Sequence, residues 1–295
     1  MEFRKFFGLL LFVCFLLIGC PNGRIEPDIT GEVVYGISDT FVQKLVIEEV
    51  TGAWCGYCVD GAYRLETVEA AYPGQVTGVA IHTGDGMAIP EKADLTDFLG
   101  GYTGVPCGSV NRTLPPNDAE NFLFLSRGYW SYMANLIHSS ESHCGIRIDS
   151  SLDGDSLSVT VSYAYTLSPV ENNRLTVYLT EDEVTGYPQS NYYSFEYSDT
   201  NPDYIYYNEP ATIEDWEHNH VLREILSDPE GDILPSVQFG VVWQEEYAFS
   251  LLSEYDKTKM NIVAIIHTHG DSMGDREVLN VQWCPLGGSE GFSEL

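Results

Sequence analysis

Lys44 to Cys58 reads K-L-V-I-E-E-V-T-G-A-W-C-G-Y-C. The run from Leu45 to Val50 has the length and apolar character of a buried strand, interrupted only by Glu48 and Glu49. Thr51, Gly52 and Ala53 turn the chain into Trp54-Cys55-Gly56-Tyr57-Cys58. Beyond it, Ala62, Leu65, Val68, Glu69 and Tyr72 recur at helical spacing up to a stop at Pro73-Gly74. A strand therefore delivers two cysteines, three apart, to the start of a helix. Unpaired N–H groups at that helix end favour a thiolate on Cys55, and Cys58 lies within reach to displace a mixed disulfide from it. Two plainer readings compete. Half of a zinc site would need a second close ligand pair, and the chain has no other C-x-x-C and no C-x-x-H. A purely structural disulfide stays open.

The first twenty residues read as a targeting segment. Arg4 and Lys5 supply positive charge, Phe6 to Ile18 is apolar but short for a membrane span, and Leu17-Ile18-Gly19-Cys20 resembles a bacterial lipobox. Cleavage before Cys20 would leave a thiol for lipidation, tethering the chain to a membrane by acyl groups. An ordinary signal peptide cut nearby is the alternative. Residues 21–43 then form a polar tether. The chain of 295 residues is 44% hydrophobic, enough to build cores, and carries 44 acidic against 14 basic residues for a net charge of −30. Such a surface repels phosphate backbones and excludes nucleic acid as a partner. It would steer cationic partners, or simply keep an exported protein soluble.

After the dithiol helix, Gln75 to His82 reads as a strand, Ala93 to Leu99 as a short helix or turn, and Val105 to Asn111 as a strand entered through Pro106. Residues 117–141 carry apolar positions near helical spacing and read as one long helix, capped by Asp118. From Cys144 the pattern changes to alternation. It is clearest in L-S-V-T-V-S-Y-A-Y, where Leu157, Val159, Val161 and Tyr163 share a face. Further strands are expected at 145–150, 174–180, 236–245, 259–267 and 277–284. Residues 187–211 interrupt them with a tyrosine-rich insertion long enough to be a functional loop or a flap. The fold class expected is an α/β domain over 44–142 followed by an all-β antiparallel sandwich over 143–285, with a tail at 286–295.

W-C-G-Y-C at a strand–helix junction, with Gly104-Val105-Pro106 downstream, resembles the thioredoxin superfamily. The resemblance implies a cis-proline at Pro106 beside the dithiol, Cys55 as attacking and Cys58 as resolving thiol, and a buried acid acting as proton acceptor. Glu49 falls at that acid's position, where aspartate is commoner, and Glu48 competes with it. Trp54, Gly56, Tyr57, Val105 and Pro106 would form the substrate-docking surface. The lipobox, the V-I-E-E-V-T-G-A-W-C-G-Y-C opening and E-H-N-H-V-L-R at 217–223 together resemble the outer-membrane-protein-28-related lipoproteins. That resemblance implies an envelope location, with the outer membrane favoured, and a thioredoxin-like domain ahead of a β-rich one.

These readings lead to a lipid-anchored thiol–disulfide oxidoreductase. Its partners would be protein thiols and disulfides of the envelope, and it would need no cofactor. The alternative is a non-catalytic surface binding or adhesion lipoprotein that keeps Cys55–Cys58 as a structural disulfide. Cys107, directly after Pro106, reads as a buried inert thiol or a third redox thiol. Removing Cys14, Cys20, Cys55 and Cys58 leaves Cys107, Cys144 and Cys284; Cys144 and Cys284, at the first and last β-strands, are the expected structural disulfide, with pairing to Cys107 as its rival and both thiols free as the remaining alternative. His82 reads as a surface or capping histidine. The pairs His218/His220 and His267/His269 have a spacing that could chelate from a strand, yet no metal is assigned to them.

Overall fold

A computed structural model describes residues 30–32, 40–116, 122–138, 141–167, 172–197, 201–235 and 240–294. The targeting segment, Cys20 and most of the tether lie outside the described residues.

Short strands β1 (Thr30–Glu32) and β2 (Phe41–Val42) precede β3 (Leu45–Thr51), which is buried along its whole length. Helix α1 (Cys58–Ala71), β4 (Val76–His82), α2 (Lys92–Phe98) and β5 (Cys107–Val110) follow. The helix expected over 117–141 is not formed as such. Asp118, its expected cap, lies outside the described residues; among those described, β6 (Leu125–Ser126) pairs with β5, and only α3 (Trp130–Ile137) is α-helical. Leu125 and Ser126 are thus held by cross-strand pairing, which helical spacing alone does not disclose.

The rest is strand. Its members are β7 (Glu141–Ser142), β8 (Cys144–Asp153), β9 (Ser156–Tyr165), β10 (Asn173–Glu181), β11 (Gln189–Ser190) and β12 (Thr212–Ile213). Then come β13 (Val221–Ile225), β14 (Asp232–Ile233), β15 (Val242–Ser250), β16 (Met260–Thr268), β17 (Val278–Pro285) and β18 (Ser289–Glu290). The alternation read in β9 holds, with Leu157, Val159, Val161 and Tyr163 all buried.

Sheet pairing corrects the expected fold class. The N-terminal strands do not make an α/β fold of their own. They sit inside a nine-stranded mixed sheet of order β17-β16-β10-β13-β4-β3-β5-β6, with β14 added on β10. The join is a parallel bridge between β13 and β4, Val221 opposite Ala80, with Ala80 N–H donating to His220 O at 2.7 Å. Eighteen strands against three α-helices among the described residues make this a mostly-β protein.

The sheet is covered on both faces, which explains why β3 has no polar side. On one face Val46, Val50, Val79, Tyr178, Leu222, Val263 and Ile265 pack with Leu95, Phe98 and Leu99 of α2 and its flank. On the other, Leu45 and Ile47 meet Leu65 and Val68 of α1 and Trp130 and Met133 of α3. Further along that face, β10 and β16 bury Leu175, Val177, Ile262 and Ala264 against a second sheet of order β1-β15-β9-β8-β18. That second contact is a β-sandwich packed on one end of the long sheet.

Candidate functional site

Because side chains alternate across β3, its two glutamates point to opposite faces and meet different fates. Glu48 faces the α2 side. There Arg112, fully buried, donates from Nε and Nη2 to its two carboxylate oxygens at 2.9 and 2.7 Å. Tyr178 OH donates to the same carboxylate at 2.9 Å. Glu48 is therefore a structural acid, turned away from the face that carries the two cysteines.

Glu49 faces α1. Gly61 of that helix sits directly over its carboxyl, and a Cβ at this position would also meet Pro106 Cβ at 2.9 Å, so only glycine fits. One carboxyl oxygen, Oε1, is buried with no hydrogen-bond partner. Burial pushes Glu49 up from 4.5 to about 8, against the opposing charges of His220 and Arg127. The acid is therefore protonated at neutral pH. Glu49, Thr51 and Cys58 line a small cavity of about 30 Å³ together with His82, His218 and His220.

Cys55 and Cys58 form a disulfide at the N-terminal end of α1. The Val105–Pro106 peptide is cis, as the proline reading expected, and Cys55 Sγ lies 3.7 Å from Val105 O. The geometry thus brings Cys55, Cys58, Glu49, Val105 and Pro106 together.

It also covers the sulfurs. Cys55 is 5% exposed and Cys58 2%. The described residues of the insertion, 187–197 and 201–211, lie across the turn as a strap. Ser190 N–H donates to Ala53 O at 2.8 Å, Gln189 Nε2 to Cys55 O at 2.9 Å, and Tyr192 N–H to Gly56 O at 2.9 Å. Tyr192 packs so closely on Gly56 that a side chain there would collide with its ring. The strap is itself ordered, because β11 pairs with β12 and Asn191 Nδ2 donates to Tyr206 O and Pro210 O.

Its underside is pinned by Asp60, in the first turn of α1. That carboxylate takes hydrogen bonds from Arg127, from Arg64 at 2.9 Å and from Tyr204 OH at 2.5 Å. Burial alone would raise Asp60, but these donors hold it below the usual carboxylate range. Trp54 and Tyr57, by contrast, stay 53% and 51% exposed.

Sequence reasoning missed Asp60, Gly61 and Gln189. Gly61 alone carried a signal, as a glycine inside a helix three residues after the second cysteine. The histidines separate. His82 is buried, with Nδ1 at 2.9 Å from Asp85, which corrects its reading as a surface residue. His218 packs edge-on against it, bonded to Tyr187 O, and burial pushes it down to about 4. His220 takes a left-handed φ of 57° and turns instead to Glu69, 3.2 Å away. The left-handed turn is why the i,i+2 rule fails for this pair. Among the described residues no group of three or more His, Cys, Asp or Glu is placed to hold a metal ion.

Cys144 and Cys284 are free and buried, as is Cys107, so the expected bridge is not formed. The register between β17 and β8 is the reason. Asn280 Nδ2 donates to Cys144 O and Gln282 Nε2 to Ile146 O, so it is Asn280 that stands beside Cys144. Cys284 falls near Ser150. Six residues of strand, about 20 Å, separate that point from Cys144, far beyond the ~6 Å a disulfide spans between Cα atoms. Burial pushes the Cys107 thiol up to about 12, which makes it a poor nucleophile and fits the inert reading.

The fold and site together define a mostly-β protein, built on two large sheets, with a C-x-x-C disulfide closed under a strap. The family profile described as "Outer membrane protein Omp28" matches residues 97–289, and the chain belongs to that family of bacterial outer membrane proteins. The matched stretch contains the strap and begins after the two cysteines. Among solved structures, HBP35 of Porphyromonas gingivalis is similar at a TM-score of 0.65 and 19% identity, over 83% of this chain and 76% of that one. A crystal structure of an Agrobacterium tumefaciens protein aligns at a TM-score of 0.46 and 11% identity, over 86% of this chain and 97% of that one. No match was found among curated proteins. No helix among the described residues is long and apolar enough to cross a membrane.

Proposed function

We propose that this protein is an outer-membrane lipoprotein, anchored through lipid on Cys20, that binds a partner and does not turn over disulfides. Cys55–Cys58 serves as a structural tie that fixes the turn on which the strap rests. The observation that carries this reading is the strap seated on residues 53–56, which leaves both sulfurs buried. Thiol–disulfide exchange needs a thiolate to approach a sulfur directly. Lifting the strap breaks three hydrogen bonds worth about 1 kcal/mol each net, so the sulfurs are reachable on the order of 1% of the time or less. The same strap leaves several aromatic side chains in solvent, as a binding surface does.

The test is multiple-turnover reduction of a protein disulfide with an external dithiol as electron source. Wild type and Cys55→Ser/Cys58→Ser should match the uncatalysed rate. Turnover by wild type that Cys55→Ser abolishes would overturn the reading.

One observation favours a second reading, in which the strap opens on a redox partner. Glu49, neutral at pH 7 and short of a hydrogen-bond partner at Oε1, lines the same cavity as Cys58 and could exchange a proton with its thiol. The reduced Cys55 thiolate would attack a partner disulfide, forming a mixed disulfide and releasing one partner thiolate. Cys58 would then attack Cys55 Sγ and release the second. The partner gains two electrons, and Cys55–Cys58 re-forms for reduction by a further dithiol.

A further inference from the structure

Covering a disulfide does not require what the strap displays outward. Between Leu175 and Leu222 the sequence contains no lysine and no arginine. Carboxylates at Glu196, Asp203, Glu209, Glu214, Asp215 and Glu217 are all exposed along the strap and its exit. The two arginines beneath it, Arg64 and Arg127, are engaged by Asp60, and the Arg127 guanidinium also lies over the Tyr57 ring, 5.9 Å from its centroid, a cation already seated on one of these tyrosines.

The strap and the turn beneath it also expose aromatic rings. Tyr57 contacts Tyr192 with centroids 5.3 Å apart at 89°, and Tyr192 contacts Tyr197 at 5.3 Å and 76°. Tyr197 is 59% exposed. Rings meeting edge to face stand as walls at steep angles and do not form a floor. A flat sugar ring stacks on a floor, whereas a compact cation sits in a corner against ring faces. A neutral ligand would also bury neighbouring carboxylates without compensation. A phosphate or an anionic lipid headgroup would be repelled by them.

We infer that this corner, walled by Tyr57 and by Tyr192 and Tyr197 of a strap that exposes carboxylates and no basic residue, is a docking site for an arginine- or lysine-rich polypeptide segment. Guanidinium or ammonium groups pack on the tyrosine faces while the carboxylates pair with neighbouring cations, and the net charge of −30 draws the segment in. The inference rests on the binding reading above and names the partner's chemistry.

The experiment uses the chain from residue 21 with its disulfide intact. A fluorescent peptide of alternating arginine and glycine is titrated by anisotropy, beside a glutamine–glycine peptide of equal length and a neutral oligosaccharide. The arginine peptide should bind and the other two should not, and Kd should rise with salt as screening approaches about 8 Å at 0.15 M. Tyr57→Ala/Tyr197→Ala should weaken binding about tenfold or more. Tyr57→Phe/Tyr197→Phe, which keeps the ring faces, should bind as wild type. Asp153→Asn/Glu246→Gln, which removes two exposed carboxylates from the five-stranded sheet, should stay within about twofold.

A loss in the sheet variant with none in the alanine variant would mean undirected charge attraction and overturn the site. Failure of the arginine peptide to bind would overturn it as well. Binding of the oligosaccharide, lost in the alanine variant, would overturn the cationic occupant while leaving a binding protein. Disulfide turnover in the assay above would instead remove the reading on which the inference rests.

Discussion

Replacing Glu49 by glutamine removes a titrating group and leaves its shape, which isolates the energetic consequence of burying this acid. Folding carries the carboxyl from about 4.5 up to about 8 because it leaves water beneath Gly61 without gaining a full set of donors. His220, Arg127 and the Thr51 hydroxyl favour its ionised form, Asp60 opposes it, and desolvation exceeds them all. The sign follows from proton counting. Between pH 4.5 and 8 the folded chain holds a proton that the unfolded chain has released, so stability falls with rising pH by about 1.4 kcal/mol per unit. The contribution is fully present below 4.5 and gone above 8, on the order of 4–5 kcal/mol in total. Glutamine cannot titrate, so Glu49→Gln should differ little from wild type near pH 5 and become several kcal/mol more stable by about pH 8. Urea unfolding followed by tryptophan fluorescence at about pH 5.5, 7 and 8.5 measures the difference. The slope of that difference with pH is the readout, since a constant offset reflects only how well the amide fits. A flat difference across the range would show that Glu49 ionises normally in the folded chain, and the account of a neutral buried acid would fall.

Arg112→Met should cost about 3–5 kcal/mol by stranding the Glu48 carboxylate in the core, while Arg112→Met with Glu48→Leu should recover much of that loss in the same unfolding assay. If the double variant is no better than the single, the pair contributes through packing and not through charge. Metabolic labelling with a fatty acid should mark wild type and not Cys20→Ala; label on the variant would end the lipid-anchor proposal.

Several elements were legible because their cause is local. The apolar run Leu45–Val50, the turn with its two cysteines and the period-two alternation of Leu157 to Tyr163 each declare themselves within a few residues, and the structure places β3, α1 and β9 there. The proximity of Pro106 to Cys55 was legible by resemblance. What was not legible is decided by partners far along the chain. Val221–Ile225 is not among the strands expected from the sequence, and it is a strand because β10 and β4 flank it. Two consecutive glutamates in one strand could not be told apart until Arg112, sixty-four residues away, chose Glu48. The strap could be named from its length and tyrosines. Its seat on Cys55 depends on hydrogen bonds spanning more than a hundred residues, such as Gln189 to Cys55 O.

The strand order ties the cysteine turn to the family-matched region more closely than the sequence boundaries suggest. Residues 97–289 contribute β13 and β5, yet these strands are not neighbours; β4 and β3, from outside that stretch, lie between them. Without the segment that carries the cysteines, β13 and β5 would each present an unpaired edge, and Val46, Ile47 and Val79 would vanish from the middle of two cores. The strap would lose Ala53, Cys55 and Gly56, the three carbonyl acceptors on which it rests. In the other direction, Arg112, Tyr178 and the strap, all within 97–289, satisfy or cover Glu48 and the disulfide. The two parts therefore supply each other's buried surface and polar partners. A tie such as Cys55–Cys58 has structural value at this junction, because it fixes the turn on which strap, helix and sheet converge.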